Sequence, residues 1–197
     1  MKSKVGFFAM RGVSKSLKAI GMEKLAWDVE HKTNFWQTSK KSEQMLEILS
    51  NLLNGGAIVE FGCGDGTFPQ YLPDNGFSKY VGYDISSVAI KMCNDKNENP
   101  KVNFETQDMG TWEGLGNNEV DLIVCEECLN YLEEDALIKF LQVCCETLTE
   151  SGKMFISFHS HIKHAASIET IKRTVEIVDE SFQGERVYLT ATSKLRI

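Results

Sequence analysis

Ile58-Val59-Glu60-Phe61-Gly62-Cys63-Gly64-Asp65-Gly66 decides the fold of this chain. An apolar run carrying one acid ends in three alternating glycines, and a helical pattern is expected from Thr67 to Leu72. The run reads as a first strand over 57–61 that turns at once toward a helix. Glycines at such a turn let the backbone approach a ligand and supply dihedrals that a side chain would hinder. This is the signature of a nucleotide-cofactor site. The nicotinamide fingerprint wants glycine or alanine three residues after its second glycine. Here that place is Thr67, and the third glycine comes one residue early, at Gly66.

Outward from the glycines, strands alternate with helices. Met45, Leu46, Leu49, Leu52 and Leu53 keep helical spacing until Asn54-Gly55-Gly56 stops it. Second, third and fourth strands are expected over 79–84, 102–106 and 120–125. Ser86 is placed to cap a helix after the second strand. Glu133-Glu134-Asp135 opens a helix whose Leu137, Phe140, Leu141, Cys144 and Leu148 share one side. Three acids there suit the helix dipole and receive no catalytic role. A fifth strand is expected over 153–158, a helix near 165–173, and two last strands over 174–179 and 186–192 joined around Gln183-Gly184. Strand-helix alternation argues a doubly wound, mostly parallel α/β sheet of seven strands, with one antiparallel strand from the terminal hairpin.

The chain has 197 residues, suited to one domain over 1–197, with no run approaching a membrane span and no secretory signal after Lys2 and Lys4. Its six cysteines, 63, 93, 125, 128, 144 and 145, lie in apolar segments and read as buried thiols of a reducing, cytoplasmic setting. Cys125-x-x-Cys128 lacks the second ligand pair a zinc site wants. Net charge is −7, made of a head over 1–24 at +5 and an acidic remainder at −12. The acidic body argues against an extended nucleic-acid partner. The head, though faintly like a transit peptide, is read as part of a helical segment over 1–40 that covers the cofactor.

Glu60-x-Gly62-x-Gly64-x-Gly66 resembles motif I of the class I S-adenosylmethionine (SAM) methyltransferases, and the likeness runs over roughly 40–197. The resemblance implies a SAM cofactor, with S-adenosylhomocysteine as product, held by Glu60, Phe61, Gly62, Cys63 and Gly64. Glu60 would hold the loop or contact the methionine end. Asp84, twenty-two residues after Gly62, would accept from both ribose hydroxyls, and Ile85 would pack on the adenine. Asp108 would accept from the adenine amino group, with the Met109 backbone N–H at the ring. Glu126-Glu127-Cys128-Leu129-Asn130-Tyr131-Leu132 is similar to a Ser-Glu-x-Leu-Tyr-Tyr-Leu segment of small relatives of the nodulation N-methyltransferase. Glu126 stands where that segment has Ser, so which acid faces the cofactor stays open. Trp36, in Asn34-Phe35-Trp36-Gln37, corresponds to an aromatic lid in the same relatives, or anchors a small satellite core.

Three of the four histidines fall in Phe158-His159-Ser160-His161-Ile162-Lys163-His164. The relatives have a histidine at the end of this strand, matched by His159. A neutral imidazole can take a proton from an amine or hydroxyl, so His159 is the expected base, with Glu127 and Tyr131 shaping the acceptor pocket. His159 and His161 would point the same way if the strand continued, but no carboxylate or cysteine signal joins them and no metal is expected. His31 stands alone and receives no role. The expected activity is methyl transfer to an amine or hydroxyl of a small molecule, N-methylation being favoured. The rival readings are an RNA or protein methyltransferase and a non-catalytic SAM-binding protein. The sequence names neither the acceptor nor an oligomeric state.

Overall fold

A computed structural model describes residues 13–32 and 42–195. Helix α1 occupies residues 13–19, and α2 (Glu23–Lys32) follows. After them come α3 (Glu43–Leu52), β1 (Ala57–Phe61), β2 (Lys79–Asp84), α4 (Ser87–Asn94), β3 (Val102–Thr106) and β4 (Val120–Glu126). The chain ends with α5 (Glu134–Thr147), β5 (Leu148–Phe158), α6 (Ala165–Thr174), β6 (Val175–Gln183) and β7 (Arg186–Leu195).

The seven strands lie in the order β3-β2-β1-β4-β5-β7-β6. The pairs β1–β2, β1–β4, β2–β3 and β4–β5 are parallel, while β7 runs antiparallel to both β5 and β6. One strand is thus reversed, as the sequence implied. The direction of chain progression switches between β1 and β4, and a ligand crevice belongs at the carboxyl ends of those strands.

Alternation along the strands builds a core on each face of the sheet. Val59, Phe61, Val81, Ile123 and Cys125 face Leu137, Phe140, Leu141 and Cys144 of α5 and Ile168 and Ile171 of α6. Ile58, Tyr80, Leu122 and Val124 face Met45 and Leu49 of α3 and Ile90 and Cys93 of α4. Both helices of the second face are capped as their sequences suggest. The Ser42 hydroxyl accepts the Met45 N–H at 3.1 Å, and the Ser86 hydroxyl accepts the Ala89 N–H at 3.2 Å.

Three expectations need correction. The helix expected over 67–72 is only a 3₁₀ turn, Phe68–Tyr71. Pro69 suits a first helical turn, but Pro73 removes a donor and biases Leu72 toward its extended backbone. Strand β5 begins at Leu148, five residues before Lys153, because Leu148 pairs with Val120 before the register shifts. The hairpin strands run on to Gln183 and Leu195: β6 continues through the polar Glu180 and Ser181 as an edge strand with solvent on one side, and β7 is carried to its end by pairing of Leu195 with Val175.

Candidate active site

The glycine loop is held by left-handed backbone at Gly62 (φ +70°), Gly64 (φ +56°) and Gly66 (φ +70°). At Gly62 a Cβ would also stand 2.9 Å from the Cβ of Cys128. The loop is stitched to β2: the Cys63 N–H donates to the Tyr83 carbonyl at 3.0 Å, and the Gly64 N–H donates to Asp84 Oδ2 at 3.0 Å. Asp84 Oδ1 accepts the Ser86 N–H at 2.8 Å. Asp84 is only 8% exposed, and burial raises its carboxyl above the ordinary range. The Ser86 N–H, His31 and the Gly64 N–H oppose that rise, in that order of size, while Asp28 adds to it.

Beside the loop opens a cleft of about 450 Å³, within the usual range for small-molecule sites. Glu60, Gly62, Cys63, Gly64, Asp84, Ile85, Asp108, Met109 and Glu126 all line it, as do Glu127, Tyr131 and His159. Phe61 does not. As the strand neighbour of Glu60 it points to the other face of the sheet, where its ring meets Trp112 and Phe140 at 4.8 Å each. Its place is in the core; its carbonyl accepts from Cys128 Sγ at 3.4 Å. Trp36 lies outside the described residues.

Glu60 accepts the hydroxyl proton of the fully buried Tyr80, whose phenol is pushed well above its usual value by burial and then by the Glu60 charge. Asp108 caps a short 3₁₀ turn, Met109–Thr111, by accepting the Gly110 N–H at 2.8 Å. Asp108 therefore organises backbone at the cleft as well as facing it, while Glu60 takes the Tyr80 phenol as partner.

The described part of the N-terminal segment forms one wall. Glu23, Trp27 and His31 of α2 line the cleft. The Trp27 ring meets Tyr131 edge-on at 5.0 Å. Asp28 ties α2 to the start of α4, accepting from the Ser86 hydroxyl at 2.7 Å and the Val88 N–H at 3.2 Å. Lys18 of α1 places its ammonium 3.6 Å from the centre of the Trp27 ring and 3.0 Å from Glu30. His31, given no role from the sequence, thus faces the loop beside Asp84. Lone aromatic and histidine residues on a short helix carry no local signal that distinguishes a cleft wall from an ordinary surface.

The histidines divide. Strand β5 stops at Phe158, so the two-residue alternation expected of His159 and His161 is broken. His161 turns to the hairpin, where the Glu185 carbonyl accepts its N–H at 2.8 Å and its ring meets Phe182 at 5.3 Å. His159 lines the cleft, with Nδ1 3.9 Å from Glu127 Oε2 and its ring edge-on to His164 at 4.7 Å. Among the described residues no three His, Cys, Asp or Glu side chains are placed to hold a metal. The six cysteines are buried free thiols. Cys125 hydrogen-bonds Cys128, which raises the Cys128 thiol, and burial adds to that.

Burial, then His159, then Lys163 lower the pKa of His164 below its ordinary 6.5. A base depressed in the folded state contributes stability that is complete above the unfolded pKa. That stability is lost as pH falls through the folded one. The melting temperature of the wild type should therefore drop between pH 7.5 and 5.5 by more than that of His164→Gln. Parallel melting curves would dismiss the contribution.

Arg186 was not singled out from the sequence. At the start of β7 it donates from Nη1 to Glu127 Oε1 across 59 positions of chain. No local spacing announces a contact of that kind.

Residues 58–152 match the family model of a methyltransferase domain. A curated tRNA (uracil(54)-C(5))-methyltransferase of Pyrococcus horikoshii is 35% identical over 74 residues, 37% of this chain; the match spans 17% of that protein's length. A TehB-like SAM-dependent methyltransferase from Corynebacterium glutamicum has the same fold at a TM-score of 0.63. Their identity is 21%, over 76% of this chain and 86% of that one. N-methyltransferase NodS from Bradyrhizobium japonicum, in complex with S-adenosylhomocysteine, aligns at a TM-score of 0.65. Identity there is 14%, over 79% of this chain and 89% of that one. At these identities the likeness is one of fold. No helix among the described residues is long and apolar enough to cross a membrane.

Proposed function

We propose that this chain, which has the fold of the class I SAM-dependent methyltransferases and a methyltransferase domain over 58–152, methylates a small molecule at an amine or hydroxyl, with amine nitrogen preferred. The cofactor fits the chemistry of the cleft. Asp84 is a buried carboxylate with one oxygen toward the glycine loop and the other toward Ser86, and the glycines leave backbone open beside it. Asp84 is suited to ribose hydroxyls, Asp108 and Met109 to the adenine edge, Ile85 to its face, and Glu60 or Glu126 to the cationic methionine end. Bound SAM supplies an electrophilic methyl group on a sulfonium and leaves as a neutral thioether.

One observation carries the preference for amines. The acceptor side joins the acids Glu23 and Glu127 to the rings of Trp27 and Tyr131, and the chain's own Lys18 already seats an ammonium on Trp27. Acids and aromatic faces attract a cationic amine and give a neutral alcohol no such advantage. Burial raises the Tyr131 phenol above its usual value, so it stays a neutral donor or acceptor. An ammonium must lose a proton before its nitrogen can attack. Nδ1 of His159 faces Glu127, which leaves Nε2 to accept that proton and release it to water. The groups around the acceptor must also hold it in line with the bond that breaks.

Incubation with labelled SAM tests the reading. Panels of small amines, small alcohols and total tRNA should yield label in amines foremost. Transfer to tRNA alone would replace the small-molecule reading with an RNA one, as the name of the Pyrococcus relative would suggest. Binding of S-adenosylhomocysteine without transfer to any panel would favour a non-catalytic role.

Asp84→Asn isolates the cofactor half. The amide keeps one acceptor but turns an N–H toward a backbone N–H that the carboxylate now accepts. Hydrogen bonds to charged groups contribute roughly 1.5–3 kcal/mol, so affinity for S-adenosylhomocysteine should fall about 10- to 100-fold by calorimetry. An unchanged affinity would remove Asp84 from the cofactor site.

A further inference from the structure

We propose that Arg186 is a positioning residue: it clamps one oxygen of Glu127 so that the other is held toward His159, fixing the imidazole for proton removal from the acceptor. The proposal rests on the reading of His159 as the base.

Glu127 is held at two points and faces His159 at a third. Its N–H donates to the Ser157 carbonyl at 3.0 Å, its Oε1 accepts from Arg186 Nη1, and its Oε2 lies 3.9 Å from His159 Nδ1. That last spacing is an ion-pair distance, beyond hydrogen-bond range, and a small rotation of the imidazole would close it. The backbone of Glu127 is left-handed, at φ +54°. Glycine or asparagine takes that conformation with less strain, and a long acidic side chain brings no local compensation. The strain is consistent with a demand for a carboxylate at this point, between an arginine and a histidine.

The arginine is placed by the hairpin. Gln183 pairs with Arg186 across the turn, and Phe158 pairs with Val187. The neighbouring Glu185 accepts from the Ser160 hydroxyl at 2.7 Å through its side chain and from the His161 N–H through its carbonyl. The β6–β7 turn therefore grips the loop that follows His159 through Glu185. Arg186 and His159 are held in one frame, although one opens β7 and the other follows the end of β5.

Glu127→Gln removes the carboxylate that faces His159, and Arg186→Gln removes the clamp that keeps its second oxygen there. Both should lower kcat and leave KM near that of wild type. Arg186→Lys keeps a cation for Glu127 without the planar fork and should recover part of the loss.

The test is kcat and KM for the acceptor found above, wild type against the three variants, each also made in the His159→Ala background. In Arg186→Gln kcat should fall roughly tenfold through lost alignment, with KM and affinity for S-adenosylhomocysteine unchanged and part of the loss recovered in Arg186→Lys. In the His159→Ala background Arg186→Gln should cost nothing further. An unchanged kcat in Arg186→Gln overturns the proposal, as does a full additional loss when His159 is already absent. If His159→Ala alone keeps full activity, it is the base reading that fails.

Discussion

His159→Ala should slow methyl transfer by roughly 10²- to 10⁴-fold, the usual contribution of a positioned general base. Its affinity for S-adenosylhomocysteine should change little, because Asp84, Ile85, Asp108 and Met109, assigned to the cofactor, follow β2 and β3, while His159 lies just past the end of β5. The comparison is made by single-turnover rates and calorimetry on the same preparation. The loss should shrink as pH rises, since hydroxide and the free amine increasingly replace the missing base. A variant retaining a third or more of the wild-type rate would show that the acceptor reaches the cleft already deprotonated. Methyl transfer would then depend on alignment alone.

Gly66→Ala should destabilise the fold by about 2–5 kcal/mol. A side chain at φ +70° costs roughly 1–2 kcal/mol in backbone strain. The new Cβ would also stand 2.7 Å from Cys93 Sγ and 2.9 Å from Phe104 Cζ, and such overpacking adds about 1–3 kcal/mol. In a chain of this size the melting temperature should fall by roughly 4–20 °C. Gly184→Ala is the internal control. Its φ of +61° carries the strain, but nothing lies within 4 Å of the added carbon. It should therefore lose only the backbone part. Equal losses in the two variants would show that contact with Cys93 and Phe104 contributes nothing.

The same glycine explains what the sequence could convey. A third glycine at 66 in place of 67 separated this loop from the nicotinamide pattern, and the structure supplies a local reason for its position: Gly66 turns under Cys93 and Phe104 while its N–H closes a turn on the Cys63 carbonyl at 3.0 Å. Strands β1 to β4 were legible because apolar runs end at glycines, acids or caps that lie next to them in the chain. The cleft side of Asp84 and Asp108 was legible for the same reason, since each stands at or just past a strand end.

What stayed hidden depends on distant partners. The stretch 67–72 read as a helix, yet Pro73 biases Leu72 toward extended backbone and limits it to the Phe68–Tyr71 turn. Phe61 sat inside a cofactor motif yet belongs to the core, since adjacent strand residues face opposite ways. His161 parted from His159 once β5 ended, and Arg186 reached Glu127 from 59 positions away. Trp27 and His31 gained their places from the docking of α2 on α4, where Asp28 meets Ser86. No periodicity in a ten-residue helix announces which turn will face a cleft.

Calorimetric titration of S-adenosylhomocysteine into the wild type and Asp84→Asn tests the central claim most directly. The account predicts one site per chain in the wild type and a dissociation constant about 10- to 100-fold weaker in the variant, with both proteins folded. Absence of binding to the folded wild type, or equal binding by the two proteins, would contradict it.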